Sequence, residues 1–438
     1  VYKRQAWNCQ GGSQIDTDTV LVGLGQDATC TISNNDRPPT LTLVKQVIND
    51  DGGNAVPADW MLTATGPTGF SGTGPSISSG ADFQAGDYDL SESGPDGYTA
   101  GDWSCDGGVL AGSTVTVGID ETVTCTIVND DIAPTLTLTK AVTNDNGGSL
   151  GPNDFGLTIG GNPVASGVAT PVAANTLLAI DEAGAEGYDF VSISGDAKCP
   201  AVLGGTLTLD EGEDVSCTIA NDDIAPSLTV INKVLNDNGG TATVNAFNVT
   251  TTAGALSFDG GVGTNPVVYT AGPLNDLSAG IAYTLQEANV AGYAEGSWSC
   301  NGTNGVGGGG VYNGASVTLE LGEDVTCQIT NDDEAPSLTV IKNVINDNGG
   351  TATVNTFNVT STAGALSFGA GVGSNPVVYT ASTLNDLSAG VAYTLQEANV
   401  AGYAEGSWSC SGTNGVGGGG VYNCLLYTSD AADEYNPV

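Results

Sequence analysis

Apolar and polar residues alternate along most of this chain, and the alternation recurs in a fixed order. Residues 40–47 read T-L-T-L-V-K-Q-V. Side chains on a strand point to opposite faces in turn, so Leu41, Leu43, Lys45 and Val47 share one face. Leu136, Leu138, Lys140 and Val142 repeat the arrangement, as do Leu338, Val340, Lys342 and Val344. A second alternating run places Tyr88, Leu90 and Glu92 in phase, with Leu178, Ile180 and Glu182, then Tyr283, Leu285 and Glu287, in the same pattern. A third puts Cys125, Ile127 and Asn129 on one face, then Cys217, Ile219 and Asn221, then Cys327, Ile329 and Asn331. Gly, Asn, Asp and Pro cut the runs apart, and the N-D-[DN]-G-G segments at Asn49, Asn144, Asn236 and Asn346 are strong turn signals. The pattern predicts an all-β chain, a tandem array of Ig-like sandwiches of roughly seven strands each.

The repeats set the domain boundaries. Residues 6–37 are the C-terminal remnant of one repeat; repeat two spans 38–132, repeat three 133–224 and repeat four 225–334. Repeat five spans 335–423 and lacks its closing strand. Ala-Pro pairs at Ala133-Pro134, Ala225-Pro226 and Ala335-Pro336 make short, extended joints that favour a stiff rod over loosely tethered beads. The ends read differently. Residues 1–5 (VYKRQ) and 424–438 (opening CLLYTSDAADE) resemble translated sequencing-adapter sequence. Repeats four and five match almost throughout Pro226–Asn313 and Pro336–Asn423, and the match collapses where Cys424 replaces the counterpart of Gly314. Both ends are therefore set aside from the fold.

Composition narrows the function. The formal net charge is −41, with only 8 Lys and Arg, which argues against nucleic acid as a partner because phosphate contacts need cations. No apolar run is long enough to insert in a membrane within this fragment. Histidine is absent, removing the commonest general base and metal ligand. No nucleophile elbow, zinc-protease or phosphate-loop motif occurs, so the expectation is a protein that is not an enzyme. Cysteines fall in pairs at two fixed places in each repeat: Cys9/Cys30, Cys105/Cys125, Cys199/Cys217 and Cys300/Cys327, with Cys410 left alone. One disulfide per domain implies an oxidising compartment, hence an extracellular or cell-surface location. Trp103, Trp298 and Trp408, each two residues before a Cys, read as core beside the disulfide.

An inward lysine needs something to take its charge. The face-sharing Glu and Asn supply it in two ways. One is a buried Lys–Glu ion pair hydrogen-bonded to Asn; the other is an amide crosslink between the Lys amine and the Asn carboxamide, with loss of ammonia. Repeat four reads S-L-T-V-I-N-K-V, so Asn232 takes the inward phase with Glu287 and Asn331 while Lys233 points out, and no crosslink is expected there unless a bulge restores the phase. Repeat five has Lys342 and Glu397 and no closing Asn.

The order of Lys strand, Y-x-L-x-E, a G-Y six residues after the Glu, and a strand ending in Asn resembles the prealbumin-like (Cna B-type, SpaA-type) domains of bacterial surface proteins. Glu92/Tyr98, Glu182/Tyr188, Glu287/Tyr293 and Glu397/Tyr403 keep the spacing. The resemblance implies autocatalytic isopeptide bonds, Lys45–Asn129 with Glu92 and Lys140–Asn221 with Glu182. The disulfides depart from typical pilin domains. The expected function is a piece of a secreted or cell-surface stalk or adhesin with locked, rigid spacers, its partners an unknown surface ligand or other envelope proteins. The alternative is an array of ligand- or calcium-binding modules using loops such as Ala253–Asn265 and Asn301–Asn313. No cofactor is expected; Ca²⁺ is entertained only at domain junctions, where the repeat order brings Asp130, Asp131 and Asp145, and Asp222, Asp223 and Asp237, near one another.

Overall fold

A computed structural model describes residues 7–306 and 309–412. The adapter-like ends, the end of repeat five and Cys424 lie outside the described residues. The chain divides into two compact units: residues 1–141, 152–183 and 191–220, and residues 142–151, 184–190 and 221–438. Nearly everything described is strand and turn.

Repeat two shows the architecture most fully. One sheet orders the strands Tyr98–Ala100, Thr122–Asp131, Thr40–Ile48 and Ser76–Ser78, with Ser104–Asp106 also on the closing strand. The other orders Val109–Ala111, Thr114–Val117, Gly86–Ser93, Met61–Thr65 and Phe70–Thr73. Each sheet has five segments, more than the expected seven in all, because glycine-rich turns cut the chain into short pieces. Gly101 and its neighbours, for example, separate two segments that pair with the same closing strand. Leu41, Leu43, Leu62, Tyr88, Leu90, Val115, Val123 and Ile127 fill the space between the sheets. Full burial of such side chains stabilises by roughly 1.5–3 kcal/mol each, an upper range for a real unfolded chain.

One pairing governs the rest. The first strand, Thr40–Ile48, runs parallel to the closing strand, Thr122–Asp131, so the two chain ends of the domain lie side by side in one sheet. Repeat four repeats it, with Ser227–Leu235 parallel to Asp324–Asp333. Repeat three places Thr135–Thr143 beside Asp214–Asp223 in a four-stranded sheet, with a second four-stranded sheet containing Leu178–Ala183. Repeat five keeps only two-stranded pieces, and its first strand shrinks to Ile341–Val344. The cause is plain: among the described residues it has no closing strand to lean on.

The four expected disulfides form: Cys9–Cys30, Cys105–Cys125, Cys199–Cys217 and Cys300–Cys327. Three join residues directly opposite on antiparallel strands. Cys410, expected to be unpaired, is disulfide-bonded. Trp103 and Trp298 pack against the cores, next to Cys105 and Cys300.

Candidate functional site: buried Lys–Glu–Asn cores

The alternation places the candidate lysines inside. Lys45 is 2% and Lys140 4% exposed. In repeat two the parallel register sets Lys45 beside Ile127 and Val47 beside Asn129, so Lys45 and Asn129 occupy neighbouring inward rungs. Glu92 comes from the opposite sheet, where it pairs with Leu62. Lys45 Nζ donates to Glu92 Oε2 at 2.8 Å, and Lys140 Nζ to Glu182 Oε2 at 2.6 Å. Asn129 and Asn221 are buried on their closing strands. The side-chain carbonyl oxygen of Asn129 is buried with no hydrogen-bond partner.

Electrostatics in these cores oppose each other. Burial pushes Lys45 and Lys140 below the ordinary lysine range, and the hydrogen bond and charge of Glu92 or Glu182 pull them part of the way back. An amine so placed can hand its proton to the adjacent carboxylate, which leaves a neutral nucleophile beside a carboxylic acid. An aromatic ring closes each core: Lys45 Nζ lies 4.5 Å from the Trp60 ring centroid and Lys140 Nζ 4.3 Å from that of Phe155. These rings escaped the sequence reading. Their signal was present, since P-A-D-W, P-N-D-F, V-N-A-F and V-N-T-F recur at one spacing after the inward Lys or Asn.

Repeats four and five differ in instructive ways. Asn232 is fully buried and pairs with Ile329 in the register that Lys45 has with Ile127, while Lys233 is half-buried on the other face. Asn232 Nδ2 and Asn331 Nδ2 both donate to Glu287 Oε2, at 3.0 and 3.1 Å. Burial pushes Glu287 above the usual carboxylate range, against the two amide hydrogen bonds. Lys342 of repeat five donates to Glu397 and lies 4.4 Å from the Phe357 centroid. Its side chain is 15% exposed where those of Lys45 and Lys140 are fully covered.

The acidic residues near the joints group differently from expectation. Asp130 and Asp131 meet Asp50 of their own repeat, not Asp145 of the next. Asp222 and Asp223 likewise meet Asp145, and Asp237 meets Asp332 and Asp333. Parallel pairing of first and closing strands is the reason, because it brings the end of one beside the end of the other. The innermost carboxylate of each trio is used by the turn itself. Asp131 accepts from the amides of Asp51 and Gly53, Asp223 from those of Asp145, Asn146 and Gly148, and Asp333 from those of Asn238 and Gly240.

The tyrosine of each G-Y finishes the same turn, a role the sequence did not disclose. Tyr98 donates to Asn49 Oδ1 at 2.7 Å and accepts from the Ala55 amide at 3.0 Å; Tyr188, Tyr293 and Tyr403 do the same in their repeats. The turn then docks on the following repeat. Within the first unit the Asp51 carbonyl accepts from Ala174; within the second, the carbonyls of Asn146 and Asn238 accept from Ala279 and Ala389.

A family model for a prealbumin-like fold domain of SpaA type matches residues 1–32, 36–127, 131–219, 223–329 and 333–423. No curated protein matches. Among solved structures, the TIE protein of Bacillus anthracis is 17% identical with a TM-score of 0.37, over 72% of this chain and 55% of that one. The pilus adhesin SpaC of Lactobacillus rhamnosus GG is 14% identical with a TM-score of 0.21, over 72% and 46%. Two B repeat units of the collagen binding protein of Staphylococcus aureus are 12% identical with a TM-score of 0.19, over 83% and 94%. The chain thus spans about half the length of the first two. With five successive matches covering nearly its whole length, the chain belongs to the SpaA-type prealbumin-like fold domain family.

Proposed function

We propose that this chain is a segment of a secreted or cell-surface stalk or adhesin, and that repeats two and three are spacers locked by Lys45–Asn129 and Lys140–Asn221 amide bonds. In each, the Lys Nζ attacks the Asn Cγ, the Cγ–Nδ2 bond breaks, and ammonia leaves with protons relayed through Glu92 or Glu182. The observation that carries the reading is the placement of buried Lys45 and Asn129 on neighbouring inward positions of one core, with the largely covered Glu92 bonded to the lysine. A buried ion pair alone is weak support for stability, since apolar residues of similar size often serve as well or better. A bond-forming role gives these costly side chains a reason to be there.

Strand order explains what such a bond does. Lys45 lies on the first strand of repeat two and Asn129 on the last. A bond between them carries tension straight across the domain, and the residues between never bear it. The Cys105–Cys125 disulfide cannot do this, because everything before Cys105 remains free to unravel. The turn-to-repeat hydrogen bonds and Ala-Pro joints support a spacer whose neighbours are held in register. Stretching single full-length chains tests the reading: repeats two and three should contribute no unfolding step, and a step from either one in unreduced or reduced chain would sink it.

A second reading, ligand binding through loops, has one observation in its favour. An open depression beside Ala253–Asn265 is lined by Thr243, Leu256, Phe258, Asp259 and Tyr269. Replacing Phe258 and Tyr269 with Ala and measuring adhesion to a glycan or matrix-protein panel would separate this reading from a spacer role, which predicts no change.

A further inference from the structure

Repeat four holds the same frame with one part exchanged. Asn331 sits on the closing strand beside Val234, as Asn129 sits beside Val47. Glu287 faces it and receives its amide. Phe247 is buried in the core and makes an edge contact with Tyr293, as Trp60 does with Tyr98. Only the amine is missing, because Asn232 fills its rung. The substitution leaves a mark: Asn232 Oδ1 is a buried oxygen without a hydrogen-bond partner, while Glu287 Oε1 is unpartnered just as Glu182 Oε1 is in repeat three. The neighbouring repeat shows how small the change is. Repeat five reads V-I-K-N-V where repeat four reads V-I-N-K-V, and there Lys342 reaches Glu397 and the Phe357 ring.

We propose that repeat four is the extensible link among the three complete repeats, its bond-forming site complete except for a nucleophile that exchange of Asn232 and Lys233 would restore. This rests on the reading of repeats two and three as locked. Without the bond, tension on repeat four reaches every residue from its first strand to Cys300, where the Cys300–Cys327 disulfide stops it. Seen from the chemistry, Glu287 and Asn331 are an acid and an amide carbonyl already positioned. An amine at position 232 would attack Asn331 Cγ, the Cγ–Nδ2 bond would break, and the nitrogen would depart as ammonia with a proton taken through Glu287.

The test uses the full chain carrying N232K and K233N together. The exchange leaves composition unchanged, so the variant and the wild type share one calculated mass. The expected result is a loss of about 17 Da relative to wild type, the mass of ammonia, with a digest peptide joining position 232 to Asn331. Adding E287Q to the exchange should abolish the loss while leaving the Cys300–Cys327 disulfide formed. Unchanged mass in the exchanged chain, with links present at Lys45 and Lys140, would overturn the inference and leave the parent reading standing. No link in any repeat would overturn both. A link in repeat four alone would sink the parent reading and, with it, the contrast that makes repeat four the extensible link, while leaving its site shown to be competent. An exchange that fails to fold would also count against it, since the Lys342-Asn343 order should fit this frame; N232K alone is the second variant, held to the same outcome.

Discussion

At the scale of single residues, the cores of repeats two, three and four are variations on how a carboxyl is accommodated without water. In repeats two and three a lysine takes the charge; in repeat four two carboxamides stand in its place. Glu92→Gln should leave repeat two folded and unlinked, because the carboxamide keeps the shape and cannot relay protons; a linked peptide in that variant would contradict the role given to Glu92. Glu287 predicts a pH effect of definite sign. Its folded pKa is raised, so the folded state holds a proton that the unfolded state has released. The stability it contributes is present below the ordinary glutamate value and is lost as pH rises through the raised value. Asp333 works the other way: burial pushes it up, the amides of Gly240 and Asn238 more than reverse that, and its contribution is lost as pH falls. Comparing chemical denaturation of wild type and E287Q across pH 4 to 8 isolates the effect of Glu287. The gap between them should change steadily with pH, wild type losing ground as pH rises; a constant gap would mean Glu287 does not titrate there. Trp60→Ala, which removes the ring over Lys45, should destabilise repeat two by about 3–5 kcal/mol.

At the scale of elements, the turn after each first strand is the most heavily built part of the repeat. Gly52 has φ +93°, and a Cβ there would come 2.5 Å from the Ala174 carbonyl oxygen of the next repeat. A Cβ on Gly53 would come 2.4 Å from the Tyr98 hydroxyl. Gly52→Ala should therefore loosen the joint, seen as faster amide exchange at Ala174, while Tyr98→Phe should cost about 1–2 kcal/mol through two lost hydrogen bonds. Because Asp131, Asp223 and Asp333 are already satisfied by turn amides, chelator should leave thermal melts unchanged; a lower midpoint would reassign the trios as cation sites. Legibility in the sequence followed the same division. The inward phase of Lys45, Lys140 and Asn232 could be read from alternation, because a strand's period is 2 and each run is long enough to fix it. The disulfide pairs could be read because they recur at fixed places. Parallel pairing of first and last strands could not, since no local residue choice announces which strands become neighbours across most of a domain. That one gap misplaced Asp145 beside Asp130 and hid the work of Tyr98, whose partners lie on the turn.

At the scale of the whole molecule, the repeats differ in what tension can do to them. The proposed Lys–Asn bond between first and last strands would remove repeats two and three from the extensible length. Repeat four, with its disulfide intact, can release the segment from Pro226 to Cys300, roughly 250 Å of extended chain. Stretching the unreduced chain should show that step, and the N232K/K233N chain should lack it. Beneath all of this lies the claim that two amide bonds exist. Intact mass spectrometry of the reduced full-length chain tests it most directly. A mass about 34 Da below the value calculated from the sequence is predicted, two ammonia losses, with peptides joining Lys45 to Asn129 and Lys140 to Asn221. A mass equal to the calculated value would show that these cores hold ion pairs only and that the repeats carry no covalent lock.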